Sequence, residues 1–211
     1  MRKGEATRAR LVAKTAELLQ RQGFHATGLA QIVAESGSPR GSVYFHFPGG
    51  KEELACAALS DAGKLWRERL EAVIGAAPHP SAAVRAVCSV LASAMEASEF
   101  REGCPLATVA LEAASSSERV RATIASHYAG WESLIAARVV SLGMAKRDAA
   151  RLATFTLATL EGALMLAKVK RDATPIRDAG EQLARLAEAA GAFSKPRRAP
   201  PKRRERSAAR A

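Results

Sequence analysis

The sequence has few strand signals. No hairpin dipeptide sits between alternating apolar and polar runs, which speaks against sheet architectures. It has three cysteines, Cys56, Cys88 and Cys104, an odd number without metal-ligand spacing. A disulfide framework and a bound metal are both disfavoured, and the thiols read as small apolar core residues. Cys104 stands near a helix start that could lower its pKa and make it a redox-sensing thiol. A Walker loop, a dinucleotide fingerprint and a nucleophile elbow are missing, and the four histidines, His25, His46, His79 and His127, are scattered. Neither an enzyme nor a cofactor is therefore expected. Met1-Arg2-Lys3 leads into GEATRAR instead of an apolar run, and the most apolar later stretch, Leu152 to Ala167, is short and interrupted by Glu161. The expectation is a cytoplasmic protein with no export signal and no membrane partner. Solenoid periods are absent as well.

What the sequence does have is alanine, leucine and an uneven charge. With 48% apolar residues, its 211 positions can build a small head and a larger core, and the fold class expected is all-α. The net charge of +11 divides unequally. Residues 1–51 carry eight basic and three acidic groups, residues 52–193 carry 16 and 17, and residues 194–211 carry eight and one. Cations thus gather at both ends, as expected if the first segment meets nucleic acid and the middle is a core domain.

The most informative stretch is Thr27 to Lys51, TGLAQIVAESGSPRGSVYFHFPGGK. Thr27 follows the helix-ending Gly23 and can cap a helix carrying Leu29, Ile32 and Val33. Gly37 supplies a position that tolerates positive φ, so the chain can turn sharply. A second helix is expected at once, with Ser38 as its cap and Pro39 at its first position. Arg40, Gly41 and Ser42 allow close approach to a polyanion, while Val43 and Phe47 are spaced to anchor the helix inward. Arg40 suits guanine edges or phosphate. Tyr44 and His46 can donate to phosphate oxygens. Pro48, Gly49 and Gly50 form a turn, and Lys51 adds a cation to the next helix start. Singly, each residue is as well explained by packing or a solvated surface. Their joint order is the layout of a helix-turn-helix.

Thr27 to Leu54 resembles the helix-turn-helix of the TetR family of bacterial transcriptional regulators. SGSPRGSVYFHFPGGKEELA, together with the later GCPLATVALE at Gly103 to Glu112, is most similar to a subgroup that includes lincomycin-resistance and flavonoid-responsive repressors. Gly28 stands where many relatives have a capping threonine, and Ser38-Pro39 replaces the commoner Val-Ser. The resemblance implies a helix-turn-helix domain over residues 1–50 and a helical ligand-binding and dimerisation domain over 51–193.

Beyond the head, periodicity gives a support helix from Glu5 to Gln22 and a long rod from Lys51 to Ile74. Pro78-His79-Pro80 breaks the chain, and Ser81 can cap a helix running through Met95. Pro105 fits a first helical position for Leu106 to Ala114, and Ser115-Ser116-Ser117-Glu118 reads as a capped restart toward Leu142 or Gly143. Asp148 to Val169 is apolar around most of its circumference and, with Ile176 to Phe193, suits pairing with a twofold copy. An internal core helix of a monomer is the alternative. The tail 194–211 reads as disordered, adding attraction to DNA phosphates or only solubility.

The function implied is a ligand-responsive regulator, a repressor that binds a palindromic double-stranded DNA operator as a homodimer. By family analogy its small-molecule effector, aromatic or lipophilic, sits against the rod helix, with Trp66, Met95, Phe100, Leu106, Tyr128, Trp131 and Phe155 as lining residues; ordinary core packing is the other reading of each. Two rivals are a sequence-indifferent nucleoid-type DNA binder that uses the basic ends, and an activator of the same fold.

Overall fold

The computed structural model describes residues 3–193. The basic segment 194–211, expected to be disordered, lies outside the described residues. Those described form α1 (Lys3–Ala26), α2 (Leu29–Glu35), α3 (Ser42–His46), α4 (Gly50–Ala76), α5 (Pro80–Ala97), α6 (Pro105–Ala113), α7 (Glu118–Val140), α8 (Lys146–Lys170) and α9 (Thr174–Phe193), with no strand among them.

Punctuation residues explain most boundaries. Gly23 (φ 80°, ψ −174°) interrupts α1 with a conformation that side-chain-bearing residues avoid, and the last residues of α1 continue beyond this kink. Gly37 adopts φ 60° and ends the turn after α2. Pro105 opens α6, and Ser117 caps α7 by accepting from the Val120 N–H at 3.2 Å. Two expected caps are replaced. The α5 cap is His79, whose Nδ1 accepts from the Ala82 N–H at 3.1 Å, while Ser81 is buried. Thr27 does not cap α2. Its buried hydroxyl donates to the Gly23 carbonyl at 2.6 Å, leaving Gly28 in the cap position without a side-chain bond.

One apolar core runs from head to body without a break. Leu11, Leu18 and Leu19 of α1, Ile32 of α2 and Val43 and Phe47 at α3 pack with Leu54 and Leu59 of α4, and the cluster continues through Leu106 and Val109 of α6 to Trp131 of α7. A second cluster joins α5, α8 and α9 through Leu91, Met95, Leu164 and Ile176. The rod α4 crosses α7 closely at Gly63, where a Cβ would lie 2.4 Å from the His127 ring. Trp131 Nε1 donates to the Gly63 carbonyl at 3.2 Å, which fixes the crossing. α8 has the length and apolar composition of a bilayer span, yet here it packs against α7 and α9.

Candidate nucleic-acid interface and cavity

The head presents α3 and the turn before it. Val43 and Phe47 are 2% and 1% exposed, and they anchor a helix only five residues long. Arg8 lies over the Phe47 ring at 5.1 Å and braces it from α1. This anchoring turns Tyr44 (64% exposed) and Phe45 (79% exposed) outward, beside exposed Pro39, Arg40 and Gly41. His46 is half-buried, its ring edge-on to Phe45 at 4.8 Å.

Local geometry departs from the sequence expectation at five positions. The second helix begins at Ser42, because Pro39 to Ser42 forms a turn in which both the N–H and the hydroxyl of Ser42 donate to the Pro39 carbonyl, at 2.9 and 2.6 Å. Pro39 is therefore a turn residue and not a first helical one, and Ser42 is buried. Ser38 caps nothing: its Oγ is buried without a hydrogen-bond partner. Thr27 is likewise enclosed. Lys51 is held inside the head, its Nζ 4.5 Å from the Phe24 ring and 3.4 Å from the His25 carbonyl to which it donates. Partial burial depresses its pKa, and the nearby Glu112 carboxylate opposes that shift.

Phe45 is the residue that sequence reasoning missed. Flanked by Tyr44 and His46 it resembles core material, but the i, i+4 pair Val43 and Phe47 already defines the inward face. An exposed phenylalanine on such a helix has the chemistry for apolar contact with a thymine methyl group.

The body encloses a cavity of about 80 Å³ walled by Trp66, Met95, Trp131, Leu160 and neighbouring aliphatics. Three of the seven expected lining residues, Trp66, Met95 and Trp131, are brought together there. Tyr128 instead lines an adjoining groove of about 610 Å³ between α6, α7 and α8. Leu106 is fully buried in the core that joins α6 to the head, and Phe100 packs on the α5–α8–α9 cluster. Phe155 is 52% exposed; it lies about 200° around α8 from the cavity-lining Leu157 and so faces away.

Polar groups in the cavity are few. Gln20 reaches in from the head helix α1 and donates to the Gly103 carbonyl at 2.9 Å. Glu161, Cys104 and Tyr128 meet at the boundary between cavity and groove. Burial pushes the Glu161 carboxyl above the usual carboxylate range, against the opposing pull of its Cys104 and Tyr128 neighbours. Burial first, and Glu161 second, push the Cys104 thiol well up, outweighing the amides of Leu106 and Ala107. The helix start does not activate this thiol, which overturns the ground for expecting a redox sensor.

Comparison with known proteins agrees with this arrangement. Residues 11–58 match the family described as bacterial regulatory proteins, tetR family, and residues 80–182 match the C-terminal domain of LmrA/YxaF-like transcriptional regulators. The chain is 34% identical to the HTH-type transcriptional regulator YxaF of Bacillus subtilis over 84% of its own length and 93% of that protein's. It is 31% identical to the HTH-type transcriptional regulator LmrA of the same organism, covering 81% and 90%. A crystal structure of a TetR transcriptional regulator from Chloroflexus aurantiacus superposes with a TM-score of 0.76 at 33% identity, covering 88% of this chain and 96% of that one.

Proposed function

The chain belongs to the TetR family of transcriptional regulators, with a C-terminal domain of the LmrA/YxaF-like type, and from that premise we propose that it is a repressor released from its operator by a small molecule. It binds DNA through its helix-turn-helix and is not an enzyme. In this reading residues 1–50 form the reading head, 51–193 the effector and dimer domain, and the protein works in the cytoplasm as a homodimer.

The observation that carries the effector part is Gln20. It belongs to the head helix, lines the body cavity and holds the Gly103 carbonyl next to α6. A molecule entering the cavity therefore meets a group of the head directly. An effector that prefers the arrangement with the heads displaced draws the population away from DNA by no more than its affinity difference between the two states. Effector and operator then oppose each other reciprocally.

The dimer part rests on α8 and α9. Phe155, Met165, Leu166 and Val169 of α8 and Leu186 of α9 are all large, apolar and exposed. Such a face suits burial against its own twofold copy. Two heads related by that axis would present α3 to successive major grooves about 34–36 Å apart, which calls for a palindromic site.

In the head, Arg40 and Phe45 are assigned to base edges, and Tyr44, His46, Pro39 and Gly41 to close approach and phosphate contact. Thr27 and Ser42 support the backbone of the motif through their bonds to the Gly23 and Pro39 carbonyls, Ser38 is packed within it, and Lys51 ties the start of α4 to the end of α1. Gel shifts with a selected duplex and its scrambled counterpart at raised salt test the reading. A repressor keeps its preference for the selected duplex, whereas a nucleoid-type binder loses both complexes together.

A further inference from the structure

Glu161 is a polar feature of the body that packing does not explain. It lies on α8 at the wall shared by the cavity and the groove, together with Cys104 and Leu157. A carboxylate is acceptor-only and can receive about four hydrogen bonds. Its polar neighbours are a thiol, which is a weak donor, and the single phenol of Tyr128. Glu161 Oε2 is buried with no hydrogen-bond partner. Unmet acceptors in such surroundings are costly, and a donor supplied from outside would relieve that cost.

The surrounding charge selects the kind of donor. Glu102 also lines the cavity, and Glu112, Glu132 and Lys168 line the groove. Glu112 is already engaged by the His25 N–H and lies near Lys51, which leaves Glu161, Glu102 and Glu132 against the one ammonium of Lys168, a field that disfavours anions and draws a cation. Behind Glu161 the wall is apolar and includes the indoles of Trp66 and Trp131. Apolar walls take a hydrocarbon body, and indole faces tolerate a nearby cation.

Resting on the effector role proposed above, we infer that the cavity takes a lipophilic amine, its ammonium hydrogen-bonded to Glu161 and its apolar body lying against Trp66, Met95 and Trp131. The protonated nitrogen supplies the donors and the charge that this carboxylate lacks. A hydroxyl isostere of the same shape can donate one neutral hydrogen bond but brings no charge, and an anionic one is repelled.

The test uses the full chain and a matched pair of optically silent probes, cyclohexylmethylamine and cyclohexylmethanol. Both tryptophans of the sequence line the cavity, so intrinsic fluorescence reads its occupancy directly. At neutral to mildly alkaline pH the amine should bind about tenfold more tightly than the alcohol, the ratio expected when a charge-assisted hydrogen bond replaces a neutral one. Glu161→Gln should erase that preference, lowering the affinity for the amine far more than that for the alcohol. In the unaltered protein the preference should also shrink as pH falls and Glu161 takes up its proton, a readout that needs no variant. Equal binding of amine and alcohol, or an undiminished preference in Glu161→Gln, overturns the inference while leaving a ligand cavity in place. Failure of both probes to perturb the tryptophans overturns the inference together with the effector role of this cavity.

Discussion

The backbone N–H of His25 donates to a carboxylate oxygen of Glu112 at 2.8 Å, tying the kink of the head helix α1 to α6 of the body. The His25 ring approaches the Glu112 carbonyl as well, at 3.2 Å. This contact is possible because the residue two positions before His25 is glycine. A Cβ at Gly23 would sit 1.9 Å from the Glu112 carboxylate, at a φ of +80°.

Gly23→Ala should therefore be among the most damaging small substitutions in the head. The backbone conformation costs a side-chain-bearing residue about 1–3 kcal/mol, and Glu112 must also move. Gly28 is the contrast, since its surroundings are open and its backbone is extended at the start of α2. Gly28→Ser should stabilise by a few tenths of a kcal/mol by supplying the missing cap. Urea melts of both variants check the pair of signs.

At the reading surface, Phe45→Ala and Arg40→Ala should each relax base preference at a defined operator position, by about 1–3 kcal/mol of discrimination. Tyr44→Phe should weaken all duplexes alike, by about 1 kcal/mol, because a phosphate contact carries no sequence information. Competition binding with single-base operator variants separates these outcomes. Unchanged selectivity in both the Arg40 and Phe45 variants would remove them from base reading.

The outer face of α8 makes a different prediction. Val169 is 78% exposed and Met165 58%. If two copies meet there, Val169→Asp would bury an unpaired charge and should weaken self-association on the order of a hundredfold or more. Sedimentation measures the oligomer, and operator affinity should fall with it while the helical signal stays intact. A dimer of unchanged strength would place the interface elsewhere.

Glu161 sets a pH dependence. Its carboxyl pKa is raised in the folded state by burial, so the folded chain holds this proton more tightly than the unfolded one. Its contribution to stability is present in full below the ordinary carboxylate pKa and is lost as pH rises through the elevated folded value. Glu161→Gln should consequently be the more stable form at neutral pH, with the higher Tm. The gap between the two proteins should narrow as pH falls, which thermal melts across that range record.

The all-α architecture and the order of its helices were legible because their signals are local. Gly37 needs only its own φ, Pro105 only its own ring, and Ser117 a backbone N–H three residues on. The misplaced features depend on competition among neighbours. Thr27 was expected to cap α2, but the Gly23 carbonyl freed by the kink takes its hydroxyl. Ser38 and Pro39 carry the signature of a helix start, yet the Ser42 hydroxyl folds back on Pro39 and delays α3. Lys51 was read as a cation added to the start of the rod helix, and only the packed structure reveals the Phe24 ring beneath it. In the body, Trp66, Met95 and Trp131 come from three helices far apart in sequence, so no window could have grouped them. Glu161 read as an interruption of an apolar run, and its burial beside Cys104 and Tyr128 depends on how α6, α7 and α8 meet.

Selection of bound sequences from random duplex DNA tests the central claim most directly. The account predicts a twofold-symmetric consensus whose half-sites lie about one helical turn, or a multiple of it, apart. Recovery of sequences with no shared motif, or of a single asymmetric half-site, would contradict it.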